Sequence, residues 1–599
     1  MMVPLSEPGA PVLAEKAPEA EARLSRRFSW LRSPLPRGLL ALALYLAAWL
    51  STSGYPLVAH PGRAQLDQHS MDPNFYVWSL RWWPYAVVND LNPMFTHLIG
   101  APYGPSLVWV TTVPPIALLA APLTLLAGPV VAFSLLSAIA PPLSAWAAFV
   151  LCHRLTRRFW ASLVAGTVFG FSAFEMNHTA AGQLNLTYSL LLPVLAYLIL
   201  VWWQGSLGSK MFVVLAALLM AVQFYLFLET FADLTALLVV ALVLGLAVAG
   251  RAGRPAIARL ARLLGLAYAL AIVTALPYLF FAFRTRPPKL TAVSGLDLTS
   301  LVLPRPDRLF GLAPLVHMAR LPAETSWAGY VGIPLLILVI VLATTTWSSR
   351  LVRFLTFGLI FIVVASFGPD LYVAGSPVIR FPWASLWGLP IIRNAYPSRL
   401  MLFAYLVLAM ATASWLAVTG KSAWLRWPLG LLVLAFVVLD VPPLGAISHT
   451  SVPAFISHGD YQRQLQPGET VVVVSTVGNA GLLWQASSGF YLRISGGYIN
   501  QAITPHTDLP QPVQSLAQAS PRAVRGFERF IRQDRVGAIL LDARHEPAWA
   551  GIFGRIGLHG YRVGNVIVYR TNACRGCRLL NRHQLQAAGL MPLGGPGPG

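Results

Sequence analysis

The stretch Asp67-Gln-His-Ser-Met-Asp72-Pro-Asn-Phe-Tyr-Val-Trp-Ser-Leu-Arg-Trp-Trp-Pro84 follows the first long apolar run of the chain. It sets two carboxylates ahead of an aromatic segment, just beyond a run long enough to cross a bilayer as a helix. Asp72-Pro73 reads as a helix start, with Asp72 as N-cap and Pro73 at the first helical position. Phe75, Trp78 and Trp82 then recur at i, i+3 and i+7 on one face. Pro84 is expected to end the helix. A short helix of this kind belongs in the headgroup layer, where Trp and Tyr prefer to sit. Asp67 and Asp72 would then be held at the bilayer surface. Two readings of Asp72 stand side by side: a helix cap and nothing more, or a carboxylate positioned for chemistry.

Working outward, the composition sets the solvent. Of 599 residues, 56% are hydrophobic and 11% charged, against about 25% charged in ordinary soluble domains. Many apolar runs of roughly 17–25 residues recur, each sufficient to span a membrane. The expected fold class is an α-helical polytopic membrane protein of about 11–13 transmembrane helices with a small C-terminal α/β domain. The net charge is +21. Nucleic-acid binding is one reading of so basic a chain, but the Arg residues are scattered over loops between spans, so no nucleic-acid partner is expected. Three Cys residues exclude a disulfide scaffold. Walker, dinucleotide-binding and H-E-x-x-H sequences are absent, which argues against an ATP-driven pump. No repeat with a period of about 20–50 residues is visible.

Residues 1–37 form a polar tail with a cluster of Arg, so the N-terminus is expected to be cytoplasmic. The transmembrane region is read as 38–444, with external loops at 55–107, 283–326 and 368–399. Two apolar runs near 112–126 and 130–151 conflict with the charge rule if both cross. The first carries Pro114, Pro115 and Pro122 and is expected to be re-entrant. From Arg158 onward every span agrees with the placement of charge. Residues 445–572 contain short β-rich runs at 470–474, 536–541 and 565–569, and a helix beginning at Ser520-Pro521 with Val524, Phe527 and Ile531 on one face. They read as a small extracytoplasmic α/β domain. Residues 573–599 read as a loose tail. Within it Cys574-Arg-Gly-Cys577 is a weak zinc or thioredoxin signal and fits a local disulfide.

Further along the chain come Asn89-Asp-Leu-Asn92-Pro93, Gly166-Thr-Val-Phe-Gly-Phe171 and Gly182-Gln-Leu-Asn185-Leu. This succession, with Asp-x-x-Phe-x-x-Trp-x-Leu from Asp72 to Leu80, resembles the bacterial multi-spanning glycosyltransferases of the GT-C superfamily. The likeness is to poorly characterised, actinobacterial-type members. Many relatives carry Gly-His-Leu-Asn where this chain has Gly182-Gln183-Leu184-Asn185. The resemblance is clear over roughly residues 40–200 and weakens toward the C-terminus. It implies transfer of a sugar from a polyprenyl-phosphate donor to a glycan or lipid acceptor on the extracytoplasmic face, with inversion. It also implies an acidic catalytic base in the first external loop. Asp72 matches that position and Asp67 is the reserve.

A lipid phosphate would explain why external loops carry basic residues against the usual charge bias. Arg binds phosphate oxygens through a forked pair of hydrogen bonds. Arg393 and Arg399 are the first candidates, followed by Arg284 and Arg286. The competing reading pairs these arginines with Glu324, Asp370 or membrane lipids. His178 and Gln183 lie on an external turn and are candidates for sugar contact. Glu324 is a candidate for orienting an acceptor. Glu229 and Asp233 are either functional intramembrane acids or acids exposed by a turn. No cofactor is required with a monophosphate donor; with a diphosphate, Asp67 and Asp72 together would hold a divalent cation. The alternative is a non-enzymatic transporter or flippase of lipid-linked saccharides, whose polar site would lie near the membrane midplane.

Overall fold

The computed structural model describes residues 34–571, apart from 63, 67–71, 286–294, 305–326, 390–394, 420–422, 442–446, 450–451, 476–477, 497–510 and 519. Helices dominate. Helix α1 is Pro34–Leu50 and strand β1 is Ala64–Leu66. Helix α2, Asp72–Val88, carries the opening stretch. The expected re-entrant run folds as two short helices, α3 (Pro114–Leu119) and α4 (Ala121–Ala127). Neither reaches the roughly 20 residues that a span requires. Helix α5, Pro129–Thr156, has 28 residues and is long enough.

Helix α6 (Phe159–Gly170) and α7 (Ala173–Ala180) are bent by 45° at their junction. Then follow α8 (Leu191–Trp203), α9 (Ser209–Leu226), α10 (Leu228–Val248) and α11 (Gly250–Ala282). Beyond the second loop come α12 (Ile333–Thr345), α13 (Arg350–Ser366), α14 (Met401–Leu416) and α15 (Ala423–Leu439). Among the described residues, six helical segments are long and apolar enough to cross a membrane. They are Pro129–Thr156, Leu184–Trp203, Ser209–Leu226, Leu228–Val248, Gly250–Ala282 and Pro397–Leu416. The α6–α7 pair makes a seventh if it is one broken span, and Pro36–Leu50, Ile333–Thr345 and Ala423–Val438 are shorter apolar helices.

Small residues draw the helices together where no hydrophobic force acts between them. A Cβ on Gly170 would lie 2.3 Å from the backbone nitrogen of Ala145. Gly166 and Gly170, four apart, therefore let α6 lie directly against α5. Outside the helices, Asp297 ties the second and third loops together. Its carboxylate accepts from the backbone N–H of Ala374 (3.2 Å) and Gly375 (2.8 Å), in the turn between β2 (Asp370–Val373) and β3 (Ser376–Arg380).

The C-terminal unit is α/β, as its sequence predicts. Its strands are β5 (Thr470–Val474), β6 (Arg493–Ile494), β7 (Val536–Asp542), β8 (Gly560–Val563) and β9 (Val566–Arg570). They form one sheet in the order β6-β5-β7-β9-β8, parallel through β6, β5 and β7 and antiparallel beyond. Helix α16 (Ala480–Ser487) covers one face; α17 (Pro521–Gln533) and α18 (Glu546–Arg555) cover the other. Ser520 caps α17 by accepting from the Ala523 N–H.

This unit does not stand apart from the first loop. Strand β1 pairs antiparallel with β4 (Ile447–His449). The Leu98–Ala101 segment extends the sheet edge: Ile494 N–H donates to Leu98 O (2.8 Å) and Ala101 N–H to Ile494 O (3.0 Å). Side chains of α2, α16, β5, β7 and β9 share one core with Phe133 and Ala132 of α5. Trp78 stacks between Phe75 and Trp82, with ring centroids 6.4 and 5.3 Å away, and Phe490 meets Trp78 and Trp82 edge-on. Two expectations for α2 are corrected here. Its aromatic face is buried in protein, with Trp78 at 0% exposure, so it does not rest in a headgroup layer. Nor does Pro84 end the helix, which runs on to Val88. An internal proline costs about 3 kcal/mol. Full burial of an aromatic side chain contributes about 1.5–3 kcal/mol, and Trp82, Trp83 and Tyr85 are all buried around it.

Gln485, at 0% exposure, is the polar pin of this joint. Its Oε1 accepts from Trp78 Nε1 (2.7 Å), and its Nε2 donates to Leu98 O (2.7 Å) and Leu492 O (2.8 Å). Gln485→Leu strands one donor, Trp78 Nε1, and one acceptor, Leu492 O, at about 1–3 kcal/mol per group, while Leu98 O keeps the Ile494 N–H. The purified variant is expected to unfold at a clearly lower temperature and to expose the C-terminal unit to trypsin. A wild-type melt and cleavage pattern would contradict this account of the joint.

Candidate functional site

The site is assembled at the N-terminus of α2. Residue 71 is not described, and Asp72 is the first helical residue of α2, half-buried. The Gly182-Gln183-Leu184-Asn185 motif brackets this helix end from the turn after α7. Gly182 has φ +68°, and a Cβ there would lie 2.6 Å from Cγ of Pro73. Only glycine brings the turn this close without strain. Leu184 enters the core shared with α2. Asn185 Oδ1 accepts from the buried Tyr76 hydroxyl (2.5 Å). On the other side Asn74 Nδ2 donates to Gly478 O (2.5 Å), in the loop between β5 and α16.

Gln183 is thereby placed on Asp72. Its Nε2 donates to Asp72 Oδ2 at 2.6 Å, and its Oε1 lies 2.5 Å from Nδ1 of His178. These contacts fix the tautomer. The amide nitrogen faces the carboxylate, so the amide oxygen must accept, and His178 carries its proton on Nδ1. His178 Nε2 then presents a bare lone pair. It is buried and has no hydrogen-bond partner among the described residues. The ring packs against Phe174, centroids 4.3 Å apart.

The Arg399 guanidinium lies within electrostatic reach of His178. Arg399 is in the turn Pro397–Leu400 that leads into α14. It forms an ion pair with Glu229 at the start of α10. Glu229 Oε1 also accepts the backbone N–H of Tyr396 (2.7 Å). The guanidinium carbon lies 4.4 Å from the Tyr396 ring and 5.0 Å from that of Phe227. Asp233, one turn beyond Glu229, bears electrostatically on both. Hydrogen bonds join a carboxylate at Asp72, an amide at Gln183 and an imidazole at His178, and the Arg399 cation lies within electrostatic reach of that imidazole.

Asp72, the His178–Gln183 turn and Arg399 are thus brought near one another from three separate parts of the chain. Arg284 is not. It is exposed, its guanidinium stacked 3.8 Å over the Phe280 ring, and no described contact joins it to the cluster. Asp67, Arg286, Glu324 and Arg393 lie outside the described residues, as do Cys574 and Cys577. A cation site of Asp67 with Asp72 falls outside them too. Among the described residues no group of three or more His, Cys, Asp or Glu is placed to hold a metal ion. Among the described residues Arg399 pairs with Glu229 and not with Asp370; the pairing with Glu324 considered from sequence lies outside them.

Glu175 is a further residue of this region that spacing alone did not reveal. It is fully buried, and its carboxyl accepts from Ser189 Oγ (2.7 Å) and Ser144 Oγ (3.3 Å). It lies three residues before His178 on α7 and fastens that short helix to α5 and to the turn leading into α8. Its signal in the sequence is a lone acid in an otherwise apolar stretch.

No family profile matches the sequence, and no curated protein matches it. Solved structures do match in fold. Arabinofuranosyltransferase AftD from Mycobacteria aligns at 14% identity over 90% of this chain, with a TM-score of 0.55. A mutant form of the same protein aligns at 15% identity over 89%, with a TM-score of 0.52. The chain spans about 40% of the length of AftD. ArnT from Cupriavidus metallidurans aligns at 14% identity over 92% of this chain and 99% of its own, with a TM-score of 0.49. The chain shares its overall fold with AftD.

The bracket at Gly182 makes a testable claim. Gly182→Ala forces a side chain into the left-handed region, at about 1–2 kcal/mol, and against Pro73, at about 1–3 kcal/mol more. Gly205 has φ +73° with nothing within 4 Å of a Cβ, so Gly205→Ala carries the backbone cost alone. Thermal unfolding in detergent is expected to show the larger loss for Gly182→Ala. Equal losses would remove the Pro73 contact from the account.

Proposed function

We propose that this GT-C-fold chain is an integral membrane glycosyltransferase. It takes a sugar from a polyprenyl-phosphate donor and passes it to a hydroxyl of a glycan or lipid acceptor on the extracytoplasmic face. The observation that carries the reading is the connected set Asp72–Gln183–His178 beside the Arg399–Glu229 pair. A base and a phosphate-binding cation are the two groups that such a transfer needs. AftD, whose fold is shared, is an arabinofuranosyltransferase; the activity is carried to this chain as part of the proposal.

The acceptor hydroxyl approaches the Asp72 carboxylate and gives up its proton to it as its oxygen attacks the anomeric carbon. The bond from that carbon to the phosphate oxygen breaks on the opposite side, so the configuration inverts. Gln183 orients the carboxylate by donating its amide N–H to Oδ2. Negative charge grows on the departing phosphate, and Arg399 stabilises it. Glu229 keeps the guanidinium oriented until the phosphate arrives. His178 Nε2 accepts a sugar hydroxyl. The shared core and the β1–β4 pairing support a reading in which the first loop and the C-terminal unit lie on one side of the membrane, taken as the outer side from the charge distribution.

Asp72→Asn separates a base from a cap. Asn serves the helix start nearly as well as Asp but cannot take the proton. Transfer by purified protein is expected to fall by about 10²–10⁴-fold with thermal unfolding unchanged. Near-normal turnover in a folded Asp72→Asn protein would reduce the residue to a cap.

The cation needs a paired test, because Arg399→Ala alone strands Glu229. In the double variant Arg399→Gln/Glu229→Gln neither charge is left without its partner. It is expected to fold and to use the lipid donor less well, with the loss of about 1.5–3 kcal/mol typical of a hydrogen bond to a charged group. Unchanged donor KM and kcat would make the pair purely structural.

A further inference from the structure

Helix α17 reads Pro521-Arg-Ala-Val-Arg-Gly-Phe-Glu-Arg-Phe-Ile-Arg-Gln533. Ala523, Phe527, Phe530 and Ile531 are buried against the sheet. Arg522, Arg525, Arg529 and Arg532 are all exposed. At 3.6 residues per turn these four fall within an arc of about 80°, opposite the buried face, and extend over about 15 Å. The row points straight away from the sheet.

The row is not neutralised by the chain. Among the described ion pairs only Arg532 has an acidic partner, Glu528 at 4.0 Å, with both side chains largely exposed. Like charges three or four residues apart repel one another on a helix surface. Arg522 lies in the first turn, where the helix dipole favours acids rather than bases. The helix therefore carries a standing electrostatic penalty that a polyanion would remove. A single small anion would meet one or two of these arginines. A row of about 15 Å calls for a ligand with repeated negative charge.

Its position selects between polyanions. Val471, Val473, Ala538 and Leu540 face α2 and, through it, α5 of the membrane region. The alternate residues Val472, Val474, Ile539 and Leu541 face α17. The sheet thus stands between α17 and the membrane helices, and the arginine row faces away from them. A bilayer surface is on the wrong side.

We propose that the α17 row docks a linear anionic glycan, one bearing sulfate, phosphate or carboxylate groups along its length. The choice of a glycan over other polyanions rests on the transferase reading and its outward-facing C-terminal unit. The binding itself does not, and its test requires no turnover.

The test uses the full chain in a non-ionic detergent, with fluorescent dextran sulfate as probe and neutral dextran as control. The expected result is binding of dextran sulfate alone, weakened by salt through counterion release. The variant R522Q/R525Q/R529Q/R532Q should bind at least about tenfold more weakly. The matching four-lysine variant should stay within a few-fold of wild type. The buried face of α17 is untouched in both, so equal melting temperatures accompany the result. Three outcomes overturn the proposal: no binding by wild type, undiminished binding by the four-glutamine variant, or arginine-dependent binding seen only with phosphatidylglycerol vesicles. The last would make the row a membrane contact.

Discussion

The site depends on one packed joint, in which α2 is clamped between membrane helix α5 and the C-terminal sheet. Asp72 opens that helix, and its carboxylate takes its direction from the helix that carries it. Direction comes from the aromatic ladder of Phe75, Trp78 and Trp82 locked under Phe490, and from Gln485 beneath it. The same helix end is pinned by Asn74 to the β5–α16 loop and by Tyr76 to Asn185. A carboxylate carried on a flexible loop would lose this definition. Placement to within a fraction of an ångström is what a positioned base requires.

The second constraint is electrostatic. Arg399 would be a costly isolated charge at the end of a membrane helix. Glu229 and the faces of Tyr396 and Phe227 make it tolerable there. A guanidinium already held by a carboxylate is oriented before any ligand arrives. It keeps donors free for a phosphate, since Arg presents five. Gln183 performs the matching service on the acidic side. It satisfies one oxygen of Asp72 while adding no charge, and it sets the proton of His178 on Nδ1.

Much of this was legible in the sequence. Asp72-Pro73 marked the start of α2, and the 112–126 run declared itself too broken to span. The Gly182-Gln-Leu-Asn motif marked a turn, but nothing in it showed that the turn meets α2 or that Gln183 would join Asp72 to His178. The short β-rich C-terminal runs and the Ser520-Pro521 start marked the α/β unit and α17. Other features depended on partners distant in sequence. The Phe75, Trp78 and Trp82 face fits an interfacial belt as well as a buried core, and only the docked C-terminal unit decides between them. Pro84 breaks an isolated helix but not one held by buried Trp82, Trp83 and Tyr85. Glu229 and Arg399 stand 170 residues apart, and no local spacing couples them.

The central claim is that the α2 end and the Arg399 turn are two sides of one donor site. The most direct measurement is a structure of the full protein with a polyprenyl-phosphate sugar bound. The account predicts the phosphate against Arg399 and the anomeric carbon facing Asp72, at the side of the membrane that carries the C-terminal unit. A lipid-linked sugar held near the membrane midplane, away from both residues, would contradict it and favour a transporter.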